Sequence, residues 1–127
     1  MKIGMILDAI YPSDARVTNE CEELIKNGHE VYLFCLSYQK NYIKSEIIND
    51  IKVRRYYCSS LTYKLSALAN DFPLYSILMK SKIKDFVLNN KIDRMHIHDI
   101  QIAKAAVGVC NKYKLKYNLD LHENRHE

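Results

Sequence analysis

The chain ends with a pattern, HENRH at residues 122–126, that has the H-E-x-x-H spacing of zinc hydrolases. In those enzymes the two histidines lie one turn apart on a helix and bind the metal, while the glutamate activates water. Here only Glu127 follows, which leaves no third ligand further along, and the preceding residues alternate like a strand. We therefore expect that His122 and His126 bind no metal. A zinc hydrolase is the weakest of the alternatives kept open.

Polar residues follow three of the predicted buried strands. These residues are Asp8 with the turn Asp14-Ala15-Arg16, then His98 and Asp99, then His122 and Glu123. The carboxyl ends of parallel strands meet at one edge of a sheet, and ligands bind there, at the switch in strand order. The sequence therefore predicts a site at this edge. The structural alternative is that the aspartates cap helices and the histidines are satisfied by backbone groups.

The elements that would position these residues alternate between strand and helix. Apolar runs predict strands at 2–7, 30–36, 51–57, 93–98 and 117–121. A first helix has apolar residues at Val17, Cys21, Leu24 and Ile25 and should stop at Gly28. Residues 61–90 predict two helices separated near Pro73. Asp99 should cap a last helix over 100–113, with a buried stripe of Ala103, Ala106, Val107 and Cys110.

This order predicts one α/β domain over residues 1–127. It should be a Rossmann-like, doubly wound, mostly parallel sheet of about five strands with helices on both faces. Glycine occurs only at positions 4, 28 and 108. Neither G-x-G-x-x-G nor a P-loop fits that spacing, so the domain should lack a phosphate cradle of its own.

The composition indicates the cellular compartment and the kinds of binding partner. The four cysteines are scattered through apolar segments, which predicts reduced thiols and a cytoplasmic protein. We expect no signal peptide and no membrane span. The net charge of +4 suits an anionic lipid or a nucleotide. The lysines are spread out instead of clustered with arginines and aromatics, so we expect no nucleic-acid binding.

Two stretches carry a family resemblance. DARVTNECEELIKNGHEVYLFCL and DRMHIHDIQIAKAAVGVCNKYKLKYNLDLHE resemble the N-terminal half of retaining glycosyltransferases of the GT-B fold, family four type. In that family the first loop often has Asp-x-Arg-Val before a helix ending Gly-His-x-Val. A middle strand ends His-x-His-Asp, and the next strand ends Asp-x-His-Glu. Residues 38–90 are unmatched, and the glycine-rich first loop of many relatives is missing.

The resemblance implies the acceptor-side half of a hexosyltransferase of polysaccharide biosynthesis, whose C-terminal GT-B domain, not part of this chain, holds the nucleotide-sugar. The acceptor would be a glycan or a lipid-linked or cell-surface precursor. No cofactor or metal is implied, and this domain alone should be inactive. His98 matches the family's active-site histidine, and Arg16 would meet a phosphate or an anionic acceptor. Asp14, Asp99, His122 and Glu123 would complete the substrate cleft.

Two further questions stay open from the sequence. A stand-alone flavodoxin- or receiver-like binding module shares the order of elements, although a receiver needs an aspartate after strand three, where this chain has Tyr56-Tyr57-Cys58.

The mixed apolar and lysine-rich segment 61–90 could pack in the core or contact the inner face of the membrane. Core packing is the better-supported of these two roles, because a sheet covered on both faces needs those apolar residues.

Overall fold

A computed structural model describes residues 1–12, 15–59 and 73–120. The elements in this part of the chain are β1 (Lys2–Ile6), α1 (Ala15–Lys26), β2 (Glu30–Ser37), β3 (Ser45–Ile48), β4 (Ile51–Tyr57), α2 (Pro73–Asn90), β5 (Arg94–Ile97), α3 (Ile100–Tyr113) and β6 (Lys116–Leu119). The predicted strands and helices that fall within these ranges are confirmed to within a few residues. The predicted helix before Pro73 lies outside the described residues.

The strands form one sheet in the order β3-β4-β2-β1-β5-β6. All neighbouring pairs are parallel except β3 and β4, which are antiparallel. The chain builds outward from β1 to β2 and β4, then crosses back to place β5 on the other side of β1. The switch in strand order therefore lies between β1 and β5. The predicted Rossmann-like, mostly parallel architecture is confirmed.

Strand β3 is the element that the sequence prediction missed. It is a four-residue edge strand joined to β4 by Asn49 and Asp50, both in the left-handed region with φ of 51° and 68°. Two consecutive positive φ angles make the tight turn that joins antiparallel strands, and Asn and Asp are among the residues that tolerate it. The Asn-Asp pair between two apolar segments was therefore a usable hairpin signal.

Side chains that alternate along the strands feed two hydrophobic cores, one on each face of the sheet. Met5 and Leu33 point to the α1 face, where they pack with Val17 and Cys21. Their neighbours Ile6 and Phe34 point to the other face, against α2 and α3. Phe34 stacks on Tyr56 with ring centroids 4.9 Å apart and meets the edge of Phe86 at 5.6 Å. The prediction of helices on both faces is confirmed.

Helix α1 ends as the sequence predicts. Gly28 has a φ of 90°, a conformation that side chains with a Cβ rarely adopt, and its N–H donates to the carbonyl of Ile25 at 3.0 Å. The N–H of His29 donates to the carbonyl of Leu24 at 3.1 Å. The chain can therefore reverse at once into β2.

The buried stripe predicted for α3 was partly wrong. Ala106 and Cys110 are fully buried, but Ala103 and Val107 are half-buried. The other buried residues are Ile102, Ala105 and Val109. The helix packs on α2 as well as on the sheet, so its buried surface is wider than one stripe and is centred elsewhere.

The sequence also predicted reduced cysteines and no membrane-spanning segment. All four cysteines are free and buried, as expected. Among the described residues, no helix is long and apolar enough to cross a membrane.

Strand β6 lies at the edge of the sheet, and Leu119 is 49% exposed. The alternation predicted around this residue therefore does not place the leucine side chain in a core.

Candidate functional site

The loops after β1 and β5 are tied together at the switch point. The backbone N–H of Asp8 donates to Oδ2 of Asp99 at 2.7 Å, and the N–H of His98 donates to the carbonyl of Ile6 at 3.2 Å. Asp99 occupies the N-cap position of α3, but its side chain makes no capping hydrogen bond. The prediction that the Asp99 side chain caps α3 is therefore wrong, although Asp99 occupies the N-cap position. The carboxylate instead binds the neighbouring strand end.

His98 lies beneath α1. Its side chain is 4% exposed, and Nε2 lies 3.3 Å from Oε1 of Glu20, whose side chain is 38% exposed. The contact is an ion pair when the ring is protonated, and it joins the sheet to the helix that covers it. Any ligand that touches the His98 ring on this side must therefore displace or contact Glu20.

His96 lies on the same face of the sheet, two residues before His98. The two rings are nearly perpendicular, with centroids 6.1 Å apart. Burial lowers the pKa of His96, the positive charge of Arg94 lowers it further, and Asp120 opposes both effects. The ring is therefore neutral at pH 7, since the ordinary value is already 6.5.

The loop that follows β1 is anchored from two directions. Arg55 donates from Nη2 to the carbonyl of Tyr11 at 3.0 Å and pairs with Glu46 at 2.6 Å. The Tyr11 hydroxyl lies 2.5 Å from Oγ1 of Thr18 on α1. Burial of this ring raises the pKa of Tyr11, so the hydroxyl remains protonated. These contacts hold the start of α1 against the sheet.

The structure describes only part of the predicted site. His98 and Asp99 are consecutive residues after β5, while Arg16 is exposed on the first turn of α1, one turn before Glu20. Asp14, His122 and Glu123 lie outside the described residues.

Sequence reasoning missed Glu20 and His96, although both had a signal. Glu20 directly precedes buried Cys21 and follows buried Val17 by three residues, which places it toward the inner side of α1. His96 shares the two-residue strand period with His98, so the two side chains must lie on one face.

Two open clefts lie away from these residues. One, of about 380 Å³, lies between β4 and the end of α2 and is lined by polar groups that include Arg54, Tyr56 and Asp85. The other, of about 300 Å³, separates α2 from α3 beside Lys80 and Tyr113. Neither is lined by His98 or Asp99.

Solved structures with the same fold include glycosyltransferases of the GT-B type. Sucrose-phosphate synthase from Thermosynechococcus elongatus superposes with a TM-score of 0.70 and 14% identity, over 98% of this chain and 65% of that one. The trehalose-6-phosphate protein from E. coli, bound with UDP-2-fluoro glucose, gives 0.65 and 12% identity over 94% of this chain and 32% of that one. The chain thus spans about two thirds of the first structure and one third of the second.

The fold also occurs outside sugar transfer. The C-terminal domain of the PF1911 hydrogenase from Pyrococcus furiosus gives a TM-score of 0.62 and 17% identity, over 94% of this chain and 90% of that one. No protein-family model and no curated protein matches the sequence. At these identities the similarity establishes the fold, and function has to be argued from the site.

Proposed function

We propose that this chain is the acceptor-side N-terminal domain of a retaining GT-B glycosyltransferase of the family four type. One observation carries the proposal: His98 and Asp99 end the strand beside the switch point, in a fold shared with GT-B glycosyltransferases. That edge is where doubly wound sheets bind their ligands. The His-x-His-Asp sequence of the family resemblance falls on these same positions.

The proposed reaction transfers a hexose from a nucleotide-sugar to a glycan, a lipid-linked acceptor or a polysaccharide precursor. A C-terminal GT-B domain would hold the donor, and the two domains would close on a cleft. Such an arrangement fits a domain whose sequence contains no glycine-rich phosphate loop. This domain alone would then be inactive. The sugar transfer itself needs no metal in this scheme.

His98 is the proposed catalytic residue, placed against the transferring sugar. Because Glu20 lies against the buried His98 ring, a sugar reaches that ring only when the Glu20 side chain moves aside. The Glu20 side chain has room to move, since it is 38% exposed at the surface of α1. Arg16 is exposed one turn earlier and would bind a phosphate or an anionic acceptor through its planar guanidinium. Asp14, Asp99, His122 and Glu123 would line the same cleft.

The proposed location is the cytoplasm, with contact at the inner face of the membrane where the acceptor is lipid-linked. Exposed residues of α2 support that contact. Ile77 is 60% exposed and Leu88 49% exposed, and Lys80 and Lys84 are exposed beside them. Apolar side chains with flanking lysines bind anionic leaflets.

A flavodoxin-like binding module is the second candidate. The match to the hydrogenase domain favours it, because that domain is similar to this chain over nearly its whole length and so shows this fold as a unit of the same size. A module of this kind would bind its ligand without a second domain. Tight binding of a flavin or nucleotide by the isolated chain would favour this function over sugar transfer.

The test of sugar transfer is His98→Ala in the enzyme that carries this domain. We expect turnover per folded molecule to fall at least about a hundredfold, the scale of losing one well-placed catalytic hydrogen-bonding group. The buried ring also contributes to stability, so folded protein must be quantified in each sample. His29→Ala, just before β2 at the opposite edge of the sheet, is the matched control and should keep normal turnover. Near-normal turnover in folded His98→Ala enzyme would remove the catalytic assignment.

A further inference from the structure

Three side chains with metal-binding atoms converge beneath α1. One ligand atom each from Glu20, His96 and His98 lies within 4.8 Å of the other two. Two imidazoles and a carboxylate are the set that binds zinc in hydrolases and iron in many oxygenases. The cluster lies outside both open clefts, and none of its three residues belongs to the HENRH sequence.

The fold requires this convergence. His96 and His98 alternate with Met95 and Ile97, which are buried on the α2–α3 face, so both histidines must point to the α1 face. Helix α1 covers β1 and β2, and β5 is the next strand beyond β1. Glu20 therefore reaches down over β5 from the edge of the helix.

The cluster contains a buried polar atom that lacks a hydrogen-bond partner among the described residues. His98 is 3% exposed, and Nδ1 of His96 is buried without a hydrogen-bond partner among the described residues. A buried polar atom without a partner destabilises the folded state. A cation coordinated by this nitrogen would supply the missing partner, because it accepts the lone pair of the ring.

We propose that Glu20, His96 and His98 form a binding site for a divalent transition-metal ion of the Zn²⁺, Co²⁺ or Fe²⁺ class. Nitrogen ligands favour these ions over Mg²⁺ and Ca²⁺, which prefer sites made of oxygen. Ligand atoms around a tetrahedral ion at zinc–nitrogen distances lie about 3.4 Å apart. Nε2 of His98 and Oε1 of Glu20 already lie 3.3 Å apart. Because no two of the three ligand atoms are more than 4.8 Å apart, the largest separation has to contract by at most about 1.4 Å. A three-residue site leaves a position open for water or a small anion.

The site would hold a net charge of +1, from a divalent ion, one carboxylate and two neutral rings. The inference does not rest on sugar transfer, and its test needs no sugar. Because His98 is also the proposed catalytic residue, a bound ion and a bound sugar would exclude each other at this ring. Metal would then inhibit transfer instead of promoting it.

The experiment measures Co²⁺ and Zn²⁺ binding to the purified chain. A His122→Ala/His126→Ala double variant serves as the background, so that the HENRH segment cannot contribute. We expect one equivalent of Co²⁺ with visible d–d absorption and its displacement by Zn²⁺. Glu20→Gln and His96→Ala should each raise the Kd at least about tenfold. Glu22→Gln and His29→Ala, a nearby α1 carboxylate and a distant histidine, should leave it unchanged.

Three outcomes would overturn the proposal. Absence of stoichiometric Co²⁺ binding in the double variant would show that the cluster holds no metal. A Kd unaffected by Glu20→Gln would show that the ion binds elsewhere. Binding that is present only when His122 and His126 are intact would place the ion in the HENRH segment. Circular dichroism of every variant checks the fold, and the partly exposed Glu20 position keeps the test valid if His96→Ala does not fold.

Discussion

At the scale of single residues, the buried thiols predict how stability depends on pH. Burial raises the pKa of Cys21 and Cys35 from an ordinary 9.0 to about 12, and that of Cys110 to about 11. These groups are neutral in the folded chain and ionise first in the unfolded one. Their contribution is complete below pH 9 and is lost as pH rises toward 12. We expect the free energy of unfolding to fall between pH 9 and pH 10 by about 1 kcal/mol per thiol.

Urea denaturation under reducing conditions at the two pH values measures this loss. Cys21→Ala is the informative variant, because alanine cannot ionise. It should be less stable at both values from the packing it loses, yet its decline between pH 9 and pH 10 should be about 1 kcal/mol smaller. An unchanged decline would mean that the Cys21 thiol titrates alike in both states.

At the scale of elements, two glycines predict opposite effects of the same substitution. A Cβ on Gly4 in β1 would lie 2.9 Å from Cε2 of Phe86 and 3.0 Å from Cγ2 of Ile92, both buried. A Cβ on Gly108 in α3 would lie 2.6 Å from Cε of Lys80, an exposed side chain that can rotate away. We expect Gly4→Ala to cost about 1–3 kcal/mol by overpacking. Gly108→Ala should be neutral or stabilise by up to about 1 kcal/mol, since alanine favours a helix.

Urea midpoints of the two variants decide between these signs, and each serves as the control for the other. Destabilisation by Gly108→Ala as large as that by Gly4→Ala would mean that Lys80 is held where it is. Helix α2 would then be separated from α3 by the added methyl group, and the cleft between them would widen.

The sequence predicted the strands and helices better than it predicted the site, and the reason is physical. Strands buried on both faces, such as β2, have long apolar runs and were predicted closely, as was the helix stop at Gly28. Edge strand β3 buries little, so its hydrophobic pattern was weak. The Glu20–His98 contact joins residues far apart in the sequence, and only the packing of α1 over β5 creates it. Local patterns predict what one segment buries, not which polar groups two segments bring together.

At the scale of the whole molecule, the two cores share one sheet. The alternating residues of β1 and β2 belong to different cores: Met5 and Leu33 to the α1 face, Ile6 and Phe34 to the α2–α3 face. Loss of either core would expose the other side of the same strands. The cores therefore cannot unfold one at a time without losing the sheet that both need.

We expect the chain to unfold in a single cooperative transition, with or without a damaged core. Phe86→Ala removes a fully buried ring from the α2–α3 core and should cost about 3–5 kcal/mol. Val17→Ala removes two methyl groups from the α1 core and should cost less. In both variants far-UV circular dichroism and tyrosine fluorescence should give one shared urea midpoint, since shared strands couple the two faces. Separate midpoints in Phe86→Ala would show that the two cores can unfold independently.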